Sequence, residues 1–446
     1  MMKHTTSRYE TYKPTDVIWF KELPAHWSRK RIKDVTKTLA GGTPDTSKEE
    51  YWDGNIPWLP SGKVQNSIIN EVDADTFITE EGLKNSATKM LPSPAALIAL
   101  TGATCSNIGY LTFEACANQS VVGMHGSSKM LPKYLFYALQ SQKEQILLHQ
   151  TGGAQGGISE SDVKFLFIPV PNPNEQLAIA NYLDDQTQKI DRLIANKKAQ
   201  SEKLKELRQI EINNAVTKGL NPNAEMKDSG IEWLGKIPKH WEVKRLKNVA
   251  DINSTKQEFK FEDVKDLEVV FLAMESVSEN GQIDNSEKRP VSELWEGFTY
   301  FRKNDVIIAK ITPCFENGKG AWLNSLESEF GFGSTEFHTV RSHKNRLDNH
   351  YFYHVTKSDV FMKIGEAFMT GSAGQKRVST NFVLTFKLAL PSINEQIQIA
   401  NYLQQRTSII DQLIKNIEAQ IEKLQELRKI KIYEAVTGKI KVNGYA

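Results

Sequence analysis

The chain has 446 residues, with 56 lysines and arginines against 54 aspartates and glutamates and a formal net charge of +2. That length suits two or more domains, each able to bury its own core, and a composition 39% apolar and 25% charged is that of an ordinary globular protein. The near-balanced charge argues against a chain that grips DNA alone through a broad basic surface, because phosphate neutralisation drives such binding; local basic clusters, or a second protein that supplies the grip, stay open. The opening MMKHTTSRYETYK has no apolar stretch behind its charges, which predicts no secretory signal. No run of about 18 apolar residues follows, so no membrane span is predicted. Three scattered cysteines (Cys105, Cys116, Cys314) fit a reducing cytoplasm and match no zinc spacing.

In chain order, WFKELPAHWSRKRIKDV (19–35) leads into GGTPDTSKEEYWDGNIPWLPSGKVQN (41–66), which reads as mostly loop with short strands. ALIALT (96–101) is a short apolar run typical of a buried strand, and SKMLPKYLFYALQSQKEQILL (128–148) reads as a helix. TGGAQGGIS (151–159) reads as a turn with exposed backbone amides, and FLFIPVP (165–171) as a last strand before a long helix. The order then repeats. WLGKIPKHWEVKRLKNV (233–249) matches the first segment, with Trp233, Pro238, His240, Trp241, Arg245 and Lys247 in place of Trp19, Pro24, His26, Trp27, Arg31 and Lys33. DVIIAKIT (305–312), NHYFYHVTKSDVFMKI (349–364), TGSAGQKRVS (370–379) and TFKLALP (385–391) supply a second strand, helix, turn and final strand.

The strongest repeat is helical. Residues 171–217 align with 391–437 without a gap and with more than half of the positions identical. Each copy opens with proline and Asn-Glu-Gln, a helix-start pattern, and ends at a glycine. Heptad-spaced apolar residues run along both: Leu183, Ile190 and Leu204 in one register and Leu193 and Leu207 in the other, then Leu403, Ile410, Ile417 and Leu424 with Leu413 and Leu427. Lys197, Gln200 and Gln420 interrupt this seam, so it is a weak coiled coil. About 40 helical residues span roughly 60 Å at 1.5 Å each. Pairing within one molecule requires the second helix to run back along the first, antiparallel and related by a pseudo-twofold axis; pairing between molecules is the alternative. The expected fold class is α/β (α+β): two globular units separated by two long helices, with boundaries at 1–170, 171–219, 220–390 and 391–446.

Enzyme signatures are missing. There is no G-x-x-x-x-G-K-[ST] phosphate loop, no G-x-S-x-G elbow and no H-E-x-x-H. The amino-methyltransferase pattern, Asn or Asp followed by Pro-Pro and an aromatic residue, is not met by PNPNEQ (171–176). His26-Trp27 and His240-Trp241 have no catalytic partners in sight and read as packing devices. No catalytic residue and no metal site is predicted.

Two diverged units, each preceded by L-P-x-H-W or its variant and followed by a P-x-x-N-E-Q-x-x-I-A-x-Y-L helix, resemble the specificity subunit of type I DNA restriction-modification systems. GGTP (41–44), IPW (56–58) and GSTEF (333–337) extend the resemblance over nearly the whole chain. It implies that each unit is a target recognition domain for one half of an asymmetric bipartite site in double-stranded DNA, and that the antiparallel helices set the gap. It further implies two modification (methyltransferase) subunits and restriction (motor-nuclease) subunits as partners, in the cytoplasm and without membrane contact. S-adenosylmethionine, ATP and Mg2+ would belong to those partners, and this chain would bind no cofactor and carry no catalysis.

Base reading uses paired donors and acceptors, arginine on guanine and asparagine or glutamine on adenine. The candidates are Thr43, Ser61, Lys63, Gln65, Asn118, Gln119 and Gln155 in the first unit. In the second they are Lys310, Thr312, Ser334, Thr335, Arg341, Gln375, Lys376 and Arg377. Three other readings are an orphan subunit of a methylation-only complex, a fused methyltransferase-nuclease, and a coiled-coil adaptor that binds protein.

Overall fold

The computed structural model describes residues 6–151, 156–372 and 374–443. It divides into one unit of Met1–Lys198 with Ala419–Ala446 and a second of Ala199–Glu418. Two long helices, Pro173–Lys218 and Ile393–Val436, each give one half to either unit. Among the described residues no helix is long and apolar enough to cross a membrane.

Each unit is mixed α/β. The main sheet of the first has the order Lys37–Ala40, Val121–His125, Ala95–Ala99, Ile108–Leu111, Ile68–Ile69, antiparallel up to its last, parallel pair. That of the second has the order Ala250–Ile252, Phe337–Ser342, Val306–Ala309, Gly320–Trp322, antiparallel throughout. The apolar runs expected at 96–101 and 305–312 are therefore inner strands. Their unbroken hydrophobicity follows from burial on both faces, since neighbouring side chains point opposite ways. Ala96 and Ile98 meet Tyr134, Leu135, Ile179 and Leu183, whereas Leu97 and Ala99 meet Leu59, Val64 and Leu91. Val306 and Ile308 likewise meet Tyr351, Phe352 and Leu403, whereas Ile307 and Ala309 meet Val270, Leu272 and Phe301.

The face turned to the long helices is the same in both units, and the opposite face differs. In the first unit it carries the small sheet Cys116–Ala117, Trp52–Leu59, Phe77–Ile78; in the second it carries Lys288–Pro290, Glu268–Leu272, Phe330–Gly333, Thr299–Arg302. The stretch 41–66 is thus more ordered than its polar composition suggested. Trp52–Leu59 is a strand because Trp58 and Leu59 are buried beneath it.

The Asn-Glu-Gln motif anchors each helix. Gln176 is wholly buried; its amide nitrogen donates to the carbonyls of Pro171 and Lys129, and its carbonyl oxygen accepts from Leu131 N. Gln396 repeats this with Pro391, Arg346 and Asp348 N. Glu175 accepts from the indole nitrogen of fully buried Trp27 at 3.3 Å and contacts His26 Nε2 at 3.0 Å. Glu395 does the same for Trp241 and His240, both at 3.0 Å. The repeated tryptophan is thus a buried packing element, and the exposed histidine beside it meets the same glutamate. At the other end of each sheet-to-helix junction, Tyr134 Oη reaches Pro169 and Val436 carbonyls at 3.1 and 3.2 Å, and Tyr351 Oη reaches those of Ala389 and Val216 at 3.0 and 3.3 Å.

Within each unit the two helix halves run antiparallel. In the first, Leu183 packs with Ile432, Ala435 and Val436, and Arg428 binds Asp191 at 3.0 Å. In the second, Ile212 and Val216 pack with Ile399, Ala400 and Leu403, and Arg208 binds Asp411 at 2.9 Å. The two ion pairs occupy equivalent repeat positions. Leu183, Ile190, Leu403, Ile410 and Ile417 are buried and Leu204 and Leu424 half-buried. Leu193, Leu207, Leu413 and Leu427 are 39–50% exposed and do not form the seam. From Ile190 a heptad can step by three residues to Leu193 or by four to Ile194, and the packing takes four. The seam therefore continues through Ile194, Lys197 and Ser201, and in the second helix through Ile414, Ile417 and Ile421. Gln200 and Gln420 lie exposed beside it rather than interrupting it.

Each helix expected as one piece at 128–148 and 349–364 is two: Pro132–Ser141 with Lys143–Leu147, and Asn349–Thr356 with Asp359–Ala367. The second break has a clear cause. Ser358 caps the following helix by accepting from Phe361 N, and Lys357 turns inward, where its ammonium donates to the carbonyls of Glu279, Gly318 and Gly320.

Two outcomes follow. Glu175→Ala or Glu395→Ala leaves a buried indole N–H without its acceptor, and urea unfolding should show each losing about 1–3 kcal/mol, with Gln substitutions milder. Burial, helped by nearby Arg208, pushes Lys357 down to about 7 from 10.5. Between those values the unfolded chain holds a proton that the folded chain has released, so this group makes stability rise with pH across that window. Urea midpoints of wild type minus Lys357→Met should therefore increase from pH 7 to pH 10.

Candidate nucleic-acid interface

In both units the strand buried on two faces ends where a loop comes back to pair with it. Thr101 bridges Gly157, and Ile158 N donates to Leu100 O at 2.9 Å. Ile311 bridges Arg377, Thr312 N donates to Lys376 O at 3.0 Å, and Val378 N donates to Lys310 O at 2.8 Å. The two turn segments noticed in the sequence are thus docked by backbone hydrogen bonds at equivalent strand ends. Close approach requires glycine at 157, where a Cβ would sit 2.7 Å from the Leu100 carbonyl oxygen.

Around the first strand end, Thr43 Oγ1 donates to Gln119 Oε1, and Thr101 Oγ1 to Ser120 Oγ at 2.8 Å. Asn118 Oδ1 accepts from Ser120 N at 3.1 Å, and its own N–H donates to Leu59 O, which brings the Ser61–Lys63 turn alongside. Thr101, Gly102 and Ala103 are exposed. Lys63 is paired with Asp75 at 2.6 Å, and Gln65 donates to Gly62 O. Gln155 lies outside the described residues.

Around the second strand end, Lys310, Thr312, Ser334, Thr335, Gln375, Lys376 and Arg377 come together. Lys310 N donates to Glu336 O at 2.8 Å, and Glu336 N to Ser334 Oγ at 3.2 Å. Thr335, Gln375, Lys376 and Arg377 are exposed. The Arg377 guanidinium holds the Glu336 carboxyl below the usual carboxylate range, with Lys310 adding to the effect. From sequence, Glu336 is open to two roles, orienting a basic neighbour or accepting from cytosine, and only the fold brings residues 336 and 377 together.

Arg341 does not join this cluster. It lies near the far end of the strand Phe337–Ser342, whose Phe337 pairs with Ala309 beside Lys310. Its Nε and Nη2 donate to buried Asp305 at 3.0 and 2.8 Å, and Nη1 reaches Glu258 at 3.5 Å. A half-buried guanidinium with its side edge on Asp305 and its Nη1 facing a second carboxylate has little left to offer a base. The basic run at 29–33 is likewise engaged, with Arg29 over the Phe167 ring and Arg31 and Lys33 over Phe165. Among the described residues no group of His, Cys, Asp and Glu is placed to hold a metal ion.

The arrangement offers exposed hydroxyl, amide, ammonium and guanidinium groups on short loops fixed to rigid strand ends. Such groups can recognise base edges and phosphates. The chain is similar to known proteins. The type I restriction enzyme EcoAI specificity subunit of Escherichia coli is 35% identical over 196 residues, covering 43% of this chain and 32% of that protein, so the chain spans about a third of that relative's length. The type I restriction enzyme MjaVIII specificity subunit of Methanocaldococcus jannaschii is 27% identical over 449 residues, 95% of this chain and 96% of that one. A solved chain from work described as the structural basis underlying complex assembly and conformational transition of the type I R-M system superposes with a TM-score of 0.66. It has 15% identity and covers 93% of this chain and 99% of that one, a likeness of fold. The family model for the type I restriction modification DNA specificity domain matches twice, at residues 24–206 and 238–423. With both of its units and most of its length inside those matches, the chain belongs to the type I restriction modification DNA specificity domain family.

Proposed function

We propose that this chain is the sequence-specificity component of a type I restriction-modification complex in the cytoplasm. Residues 1–170 and 220–390 each read one half of a bipartite site in double-stranded DNA. The helical segments 171–219 and 391–446 set the gap and receive two modification subunits. The chain carries no catalysis; S-adenosylmethionine, ATP and Mg2+ act on the methyltransferase and motor-nuclease subunits. The observation that carries this reading is a sheet built twice to one plan, with unlike loops docked at the same strand end. A near-neutral chain can serve if its partners supply much of the phosphate contact.

Base-edge candidates are Thr43, Ser61, Lys63, Gln65, Asn118, Gln119 and Gln155 for one half-site and Lys310, Thr312, Ser334, Thr335, Gln375, Lys376 and Arg377 for the other. Because the two sets differ, the target is asymmetric and split. Footprinting of the complex with its modification subunits, at stated salt concentration, should show two unlike protected blocks around an unread gap; one continuous or palindromic block would refute it. Inserting four residues at Gln200 turns the downstream helix by about 40° and lengthens it by about 6 Å. Site selection should then return a longer gap or no site, with both half-site sequences unchanged.

A further inference from the structure

We infer that Arg377 reads a guanine in the half-site of the second unit and that Glu336 is the positioning residue that aims it. This rests on the DNA-reading role proposed above and assigns one base to one side chain.

The argument lies in which edge of the guanidinium is used. Arg377 Nε donates to both Glu336 oxygens at 3.1 and 2.9 Å, and Nη2 donates to Oε1 at 2.8 Å. That is the side edge of the fork. The end edge, formed by Nη1 and the second hydrogen of Nη2, has a single long contact from Nη1 to Gln375 O at 3.4 Å. The Arg377 side chain is 44% exposed and that of Glu336 23%. Two parallel N–H groups facing solvent match guanine O6 and N7 in the major groove. A carboxylate on the other edge holds the plane of the fork, so less rotamer freedom is lost on binding.

Arg341, the other arginine among the candidate base contacts, shows the contrast: Asp305 holds its side edge in the same way, but its side chain is only 23% exposed and its Nη1 faces a second carboxylate, that of Glu258. The backbone also constrains Arg377. Its N–H and C=O are paired with Thr370, so the loop cannot swing the side chain away without breaking that bridge. In the first unit the equivalent bridge holds Gly157, which has no side chain. That position of the first unit therefore offers no counterpart to this contact.

The test is position-by-position base preference from a randomised duplex library, using the full chain assembled with its modification subunits. Wild type should show one G·C requirement that disappears in Arg377→Ala, by roughly tenfold to a hundredfold, while every other position and the gap stay the same. Arg377→Lys keeps the charge but not the braced fork, and should relax that position by less than Arg377→Ala. Glu336→Gln should relax that position partially. Unchanged preference in Arg377→Ala, or a half-site without any G·C dependent on residue 377, would overturn the assignment while leaving bipartite reading intact. Absence of sequence preference in wild type would overturn the DNA-reading role and this inference together.

Discussion

A glutamate and a glutamine side by side at the start of each long helix hold the molecule's parts in register. The glutamine, sealed from water, satisfies three backbone groups of the loop before the sheet's helix and of the strand exit. The glutamate takes the indole proton of a buried tryptophan that arrives from the segment opening the unit. Burying those groups without partners would cost about 1–3 kcal/mol each, so the sequence tolerates little else there. The start of the unit, its middle loop and the helix leaving it are tied at one point by side chains only a few residues apart.

From that junction each unit extends in two directions with different freedom. Towards the helices the sheet presents small and branched apolar residues to a packed interface built alike in both units. Away from them, the opposite face carries sheets of different size and strand number. The strand between the layers is buried on both faces and is insulated from either change. An alternation in which one face serves the scaffold and the other serves diversity follows from the two-residue period of a strand.

Much of this was legible in sequence, and what was not has identifiable reasons. The two-layer strands, the final strands and the long helices announced themselves by apolar runs and gapless internal repetition. The helix seam did not, because Leu193 and Ile194 satisfy a heptad equally and only the partner's shape decides. The break in the second unit's helix is hidden because Lys357 looks like a surface residue until three carbonyls are placed around it. For the recognition loops, composition identified polar residues but not their state. Arg341 and Arg377 look alike in sequence, yet one is enclosed by Asp305 and the other is braced by Glu336. Such differences come from long-range contacts, and no local pattern encodes them.

The returning loops are fastened to their strand ends by main-chain hydrogen bonds, and those bonds are blind to side-chain identity. Outside the few sites of close approach or burial, such as Gly157, Ile158 and Val378, their exposed residues can be exchanged without disturbing either hydrophobic layer. Chemical novelty at these tips is thus decoupled from folding stability, and a lineage could explore new contacts there by single substitutions, each leaving a chain that still folds.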